Sequence, residues 1–357
     1  MRRSEEKGTP SPGERSAPSS IRSAACARPT SLTARAWVEI DLGAIAANVR
    51  LVTSLLRPGT RLLAVVKADA YGHGAGAASR VALAHGASVL GVATVDEGIA
   101  LRSIGIDAPI LVLGYVSGRD SIASLAEHRL SAVVCSPEHA SELASTLEDL
   151  ARGRAIFAPD LPLGVHAKLD TGMSRLGYPW SSARQLIEAV RSSPRALRLD
   201  GVCSHFAMAD APSAEHAREQ LARFLAATRA MGDRSRLGLL HIANSAALLR
   251  GADFHLDMVR VGLLMYGLLP APWLAEGLPL RSAMQVRARV TQVRRVARGE
   301  RVSYGGTYIA ERSLVAATVG IGYADGVPFC LSGRMAALIH GRRVPQLGRI
   351  TMDQLIL

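Results

Sequence analysis

"LLAVVKADAYGHGAG", Leu62 to Gly76, is where an apolar run meets a lysine and then a glycine-rich turn. A short apolar, β-branched run of this kind reads as a strand buried on both faces, the sort that parallel sheets use. A cation at its end is out of place unless it has chemistry to do. The whole sequence holds only three lysines, Lys7, Lys67 and Lys168, within a Lys plus Arg total of 42. Lys67 and Lys168 both close apolar runs, the second in "GVHAKLDTGMSRLG". Arginine would supply charge at either place, but its guanidinium does not deprotonate and cannot form an imine at useful rates. Both positions therefore ask for an amine rather than for a charge.

Outward from Lys67 the same pattern recurs. Apolar, β-rich runs lie at Leu62–Ala68, Val89–Thr94, Pro109–Gly114, Ser131–Cys135, Val165–Leu169, Gly201–Ser204, Leu239–Ala243 and Met258–Gly262. Segments of helical length separate most of them, with helical periodicity at Glu97–Ile104 and Ala214–Ala230. Eight βα units are the number that closes a (β/α)8 TIM-type barrel, so the fold class expected is α/β. Ahead of them, "AWVEIDLGAIAANVRLVTSLL" predicts a short strand and a helix capped by Asp41. Lys67, Asp170, Arg175, His205, Asn244, Ser245 and Arg260 all fall at or just after the C-terminal ends of these runs. In such a barrel those ends converge on one mouth, where chemistry is placed.

The texture changes at Met284, where "QVRARVTQVRRVARGERVSYGGTY" alternates and turns on glycines, which predicts an antiparallel β domain. The expected organisation is a disordered extension over 1–35, rich in Pro, Ser, Gly and Arg, then the barrel over 36–280 and the β domain over 281–357. The last residues, "GRITMDQLIL", stop on an apolar strand without a cap or turn, so the β domain is expected to be incomplete at its C-terminus.

Composition excludes several classes. At 48% hydrophobic and 20% charged, 357 residues suffice for one large α/β domain and a smaller companion. The formal charge of +12 invites a nucleic-acid reading. However, the arginines are spread along the chain, aromatics are only 4%, and no helix-turn-helix or zinc-finger signature is present. Nucleic acid is therefore not an expected partner. Cys26, Cys135, Cys203 and Cys330 form no CxxC pair, which argues against a zinc site or disulfide framework and fits a reducing cytoplasm. No apolar run is long enough to span a membrane, and the twin arginines at the start lack the apolar core of an export signal.

"GHGAG" is not a dinucleotide turn with Asp96 or Glu97 as the ribose acid. Its spacing is GxGxG rather than GxGxxG, a lysine precedes it, and too many βα units follow. A strand-terminal lysine beside a small-residue turn with a hydroxyl suits an imine to an aldehyde cofactor that also carries a phosphate. Pyridoxal 5'-phosphate meets that description.

"AVVKADAYGHG", "KLDTGMSRLG", "SHFAMAD", "HIANSAALLR", "MVRVGLLMYG", "VSYGGTY", "GYADG" and "GRITMDQ" together resemble the ordered motif set of alanine racemases, from about Trp37 to Leu357. The resemblance implies that Lys67 carries the cofactor as an imine. It implies that Tyr71 and Ser245, with backbone near Gly262, hold the phosphate, and that His205 flanks the pyridine ring with Asn244 close by. Arg175 would reach the phenolic oxygen and the substrate carboxylate, a planar bidentate task. Lys168 would support Arg175, in many relatives as a carbamate. Arg260 would face the pyridine nitrogen, with His241 and Tyr323 as its braces. Because arginine accepts no proton, the nitrogen would stay neutral, which favours return of a proton to Cα over transamination. Racemisation needs a base on each face of Cα, and the resemblance implies Lys67 for the D enantiomer and Tyr304 for the L enantiomer. Tyr304 would come from the β domain of a partner subunit, making a homodimer with shared active sites, and Met352 would also reach across to line the substrate pocket.

Thr351 stands where some relatives carry cysteine, a change expected to be tolerated. Other readings stay open at this point: a racemase of another small amino acid such as serine, or a non-catalytic pyridoxal-phosphate binding protein. A decarboxylase on the same barrel is disfavoured, because those enzymes usually place a carboxylate where Arg260 stands.

Overall fold

Eight parallel strands form in the computed structural model, which describes residues 34–153 and 162–357. Most of the extension expected over 1–35 lies outside the described residues. A short strand, β1 (Ala36–Ile40), precedes the barrel, and Asp41 then caps the helix Leu42–Ser54 by accepting the Ala44 N–H at 2.9 Å. The barrel strands are β2 (Arg61–Val65), β3 (Ala87–Val92), β4 (Ile110–Val112), β5 (Ser131–Val134), β6 (Leu163–Asp170), β8 (Leu197–Cys203), β9 (Leu239–His241) and β10 (Met258–Val261). A two-residue strand, β7 (Tyr178–Pro179), adds to the end of β6. Order in space follows order in the chain, and β10 returns to pair with β2, Met258 opposite Arg61. Between β9 and β10 the backbone bonds Asp257 N–H to Leu240 O and Arg260 N–H to Ala243 O, each 3.0 Å, complete the ring.

The sequence runs are continuously apolar because both faces of each strand are covered. Leu63, Val65, Val89, Leu111, Val133 and Met258 pack inside the barrel, while Leu62, Ala64, Val66, Leu90 and Val92 pack outward under the helices. Four strands start earlier than expected, β2 by one residue at Arg61 and β3 by two at Ala87. β6 begins at Leu163 rather than Val165, and β8 at Leu197 rather than Gly201. In β8 the polar residues Arg198 and Asp200, paired at 2.6 Å, broke the apolar pattern that would have shown the strand.

The β domain is built from smaller pieces. β11 (Met284–Ala288) pairs antiparallel with β1, Ile40 opposite Met284. β12 (Val290–Val296), β15 (Leu314–Val319) and β18 (Leu355–Ile356) make a three-stranded antiparallel sheet. β13 (Arg301–Val302) with β14 (Tyr308–Ile309), and β16 (Ala336–Ile339) with β17 (Arg342–Pro345), make two further hairpin pairs. Two small apolar clusters hold it, one around Val296, Val302 and Ala316, the other around Val319, Ile321 and Ile350. No described helix is long and apolar enough to cross a membrane.

Candidate active site

The strand that opened the sequence ends sooner than expected. β2 stops at Val65, and Lys67 leads into a turn rather than extending a strand to Ala68. Ala68, Asp69, Ala70 and Tyr71 all have φ between +50° and +56°, one turn of left-handed helix made without glycine. Each such residue costs roughly 1–2 kcal/mol, so neighbouring contacts must hold the turn. Ala70 N–H bonds Val66 O at 2.9 Å. The His73 Nδ1 lies 2.9 and 3.0 Å from the carbonyls of Ala70 and Tyr71, to which it donates. Asp69 accepts the Ala75 N–H at 2.6 Å. Tyr266 donates its hydroxyl to Val65 O at 2.9 Å and stacks its ring on His73, centroids 4.4 Å apart.

The turn puts the Tyr71 hydroxyl against Gly262, just beyond the end of β10. A Cβ at Gly262 would lie 2.5 Å from the Tyr71 Oη, so only glycine leaves room there. The Gly262 N–H donates to Ser245 Oγ at 3.1 Å, and Asn244 caps the helix Ser245–Arg250 through the Ala247 N–H at 3.0 Å. Two hydroxyls and bare backbone thus converge where the barrel strands end.

Arg260, inward-facing on β10, is buried. Its Nη1 is 2.8 Å from His241 Nδ1, and its Nη2 reaches His205 Nδ1 at 2.8 Å, Ser204 O at 2.7 Å and Ile242 O at 3.1 Å. A guanidinium only donates, so both histidines accept at Nδ1. His241 therefore carries its proton on Nε2 and donates it to His166 Nδ1, 2.8 Å away. All three rings are neutral. Burial, then Arg260, pushes His205 down to about 2 and His241 well below the usual histidine range; burial brings His166 to about 4. Gly201, level with His166 on the next strand, lets the rings meet, since a Cβ there would lie 2.4 Å from His166 Nδ1.

Lys168 is buried on β6, level with Cys203, and burial with help from Arg260 and Arg175 holds its amine below the ordinary lysine value. Beyond it, the Asp170 carboxylate gathers the N–H groups of Gly172, Met173 and Ser174 at 2.9 to 3.0 Å, shaping the loop that presents Arg175.

A cavity of about 600 Å³ opens at this mouth. Lys67, Tyr71, Lys168, Arg175, His205, Asn244, Ser245, Arg260 and Gly262 all line it, while Asp170 is not among the lining residues. Four of them are cations, and Asp210 is the carboxylate residue in the lining, so the cavity is suited to anions. His241 sits directly behind Arg260. Tyr304, Met352 and Tyr323 are elsewhere: they stand 73%, 56% and 47% exposed on the β domain and are not among the lining residues. Tyr323 does not brace Arg260 within the chain; its ring meets Phe329, and the bonds to Arg260 come from His241, His205 and two carbonyls. His166, His73 and Tyr266 were not singled out from the sequence. For His166 a signal exists, because "VHAK" puts it on the same strand face as Lys168. Among the described residues no cluster of His, Cys, Asp and Glu could hold a metal ion.

Comparison with known proteins agrees with this geometry. Residues 40–270 match the family model for the alanine racemase N-terminal domain, and 283–357 match that for the alanine racemase C-terminal domain. An alanine racemase of a Nostoc species is 48% identical over 326 residues, covering 90% of this chain and 82% of the relative. One from Geobacillus kaustophilus is 42% identical, covering 89% and 80%. The solved structure of alanine racemase from Clostridium difficile superposes with a TM-score of 0.82 at 31% identity, over 91% of this chain and 83% of that one. The Bacillus anthracis enzyme, solved with bound L-Ala-P, gives 0.79 at 34% identity, over 92% and 82%. With both models matched in order and relatives this similar along nine-tenths of its length, this chain belongs to the alanine racemase family.

Proposed function

We propose that this chain interconverts L- and D-alanine at the barrel mouth, with pyridoxal 5'-phosphate held on Lys67 and a second base, Tyr304, supplied by another copy of the chain. The residues present fit the cofactor. Tyr71, Ser245 and the Gly262 backbone form a cradle that a single Cβ would fill, and Lys67, Lys168, Arg175 and Arg260 stand among apolar side chains such as Val65, Leu113 and Phe206 on the rest of the wall. When bound, pyridoxal phosphate supplies the electron sink that acidifies the α-proton of an attached amino acid.

The chain's own groups do the remainder. The Tyr71 and Ser245 hydroxyls bind phosphate oxygens, and Arg175 orients the substrate carboxylate. Lys168, a buried amine held toward its neutral form, adds through its nitrogen to carbon dioxide and gives up a proton to solvent, and the resulting carbamate anion partners Arg175. Arg260, its Nη1 and Nη2 bonded to the two histidines and two carbonyls, would face the pyridine nitrogen as a donor-only group. Lys67 removes or returns the α-proton on one face, and Tyr304 on the other. Met352, exposed on the same domain as Tyr304, lines the substrate pocket of the neighbouring copy's site. The homodimer is thus the active species. The product would feed peptidoglycan in the cytoplasm, in keeping with free, buried Cys135 and Cys203.

The observation that carries this reading is Arg260 braced by neutral rings, because a donor-only group at that position separates a racemase from a decarboxylase. The test is L-alanine in heavy water with added pyridoxal phosphate. Loss of the α-proton signal and appearance of D-alanine should proceed together. Proton loss without inversion would remove Tyr304 as the second base, and exchange with L-serine in preference to L-alanine would overturn the substrate.

A further inference from the structure

Glu97 has no part in a dinucleotide site, yet its carboxylate makes two of the shortest backbone contacts near the mouth. One oxygen accepts the Ala68 N–H at 2.7 Å, and the other accepts the Ala93 N–H at 2.6 Å. Glu97 is also the third residue of the helix Val95–Ser103, in a capping box with Thr94. In an ordinary capping box the carboxylate serves the N-cap N–H. Here the bond to the Thr94 N–H is the long one, 3.4 Å, and the short bonds go to Ala93 and Ala68.

Ala68 is the residue after Lys67 and the first of the left-handed turn. An N–H at the start of a helical turn has no partner in that turn's own ladder, and the strand has already ended. Ala93 follows β3, and both Lys67 and Ala93 line the cavity. One carboxylate therefore ties the lysine's backbone to the end of the neighbouring barrel strand.

We propose that Glu97 is a positioning residue for Lys67, fixing where the amine emerges into the cavity while touching neither cofactor nor substrate. This rests on the reading of Lys67 as the cofactor lysine. The role needs a carboxylate, because two N–H groups must each meet an acceptor oxygen. In Glu97→Gln the amide nitrogen faces one of those N–H groups, donor against donor.

The test titrates apoprotein with pyridoxal phosphate, traps the adduct with borohydride, and maps it by peptide mass. Glu97→Gln is expected to weaken cofactor affinity and slow trapping on Lys67 by about tenfold, the loss of one charge-assisted hydrogen bond. The alanine KM at saturating cofactor should stay within about twofold, because Arg175 is untouched. Thr94→Ala is the control. It removes the Thr94 Oγ1 bond to Glu97 N–H, 3.3 Å, and should lower the melting temperature without changing cofactor affinity. Glu97→Asp, which keeps the charge but is too short to span to Ala68, should show the same loss as Glu97→Gln, and it stands in if the glutamine variant does not fold. Wild-type affinity in either Glu97 variant overturns the inference, as does an equal loss of affinity in Thr94→Ala. An adduct absent from Lys67 in the wild-type chain would instead overturn the cofactor reading, and this inference with it.

Discussion

The barrel covers its strands on both faces and turns its cations, rings and hydroxyls onto one cavity. The β domain does the opposite: β12 buries only Val296, and Val290, Val293 and Val315 stand on its surface. The side chains proposed to act from it, Tyr304 and Met352, face solvent in the isolated chain. A tyrosine works as a base only where substrate and compensating charge lie within hydrogen-bond reach. The difference is what the proposed division of the site rests on: one half built by the barrel, the other offered to a second copy of the chain.

The sharpest way to break that comparison is to disable the halves separately. Tyr304→Phe should cut racemisation by roughly 10²–10⁴-fold, the usual worth of a positioned acid or base, and leave cofactor affinity unchanged. Lys67→Ala should be inactive by itself. Mixed and allowed to exchange subunits, the two variants should recover about a quarter of wild-type activity, since half the dimers are then mixed and each has one intact site. No recovery would place both bases in one chain and remove the distinction between the halves.

A smaller effect is expected at the cradle, which lies wholly within the barrel. Gly262→Ala drives a methyl group against the Tyr71 hydroxyl and should weaken pyridoxal-phosphate affinity by about ten- to a hundredfold, the scale of a disrupted charge-assisted contact. The melting temperature of the apoprotein should hardly move. A shift in stability equal to the loss in binding would mean that Tyr71 is a core aromatic rather than a phosphate ligand.

The same contrast governs what the sequence discloses. Parallel strands covered on both faces read as apolar runs, so each of the eight left at least part of itself legible, β8 only in its last three residues. What hid were features set by contacts from far along the chain. "ADAY" has no glycine, and local preference gives no hint of a left-handed turn; His73, Asp69 and Tyr266 impose it. His166 shares a strand face with Lys168, but its bond to His241 shows only once Gly201 is seen to open the path between them. Glu97 reads as a helix cap, which it is, and nothing local reveals its reach to Ala68. In the β domain, strands as short as two residues carry too few alternating positions to fix a register from pattern alone.

The smallest effect separates a buried polar chain from an exposed sheet face. His166→Leu strands the His241 Nε2–H in the barrel interior and should cost about 1–3 kcal/mol in urea unfolding at pH 7.5, whereas Val315→Thr on the β-domain surface should stay within about 0.5 kcal/mol. The pH dependence identifies the cause. His166 is neutral in the fold, brought by burial to about 4, and the unfolded chain titrates near 6.5. Between those values the unfolded state binds the extra proton, so the contribution is intact above about 6.5 and is lost as pH falls toward about 4. Removing His166 should therefore flatten the fall in stability over that window by one proton. If Leu at 166 lowers stability by the same amount at every pH, the ring is packing only, and the chain from His166 through His241 to Arg260 is not what holds the arginine in place.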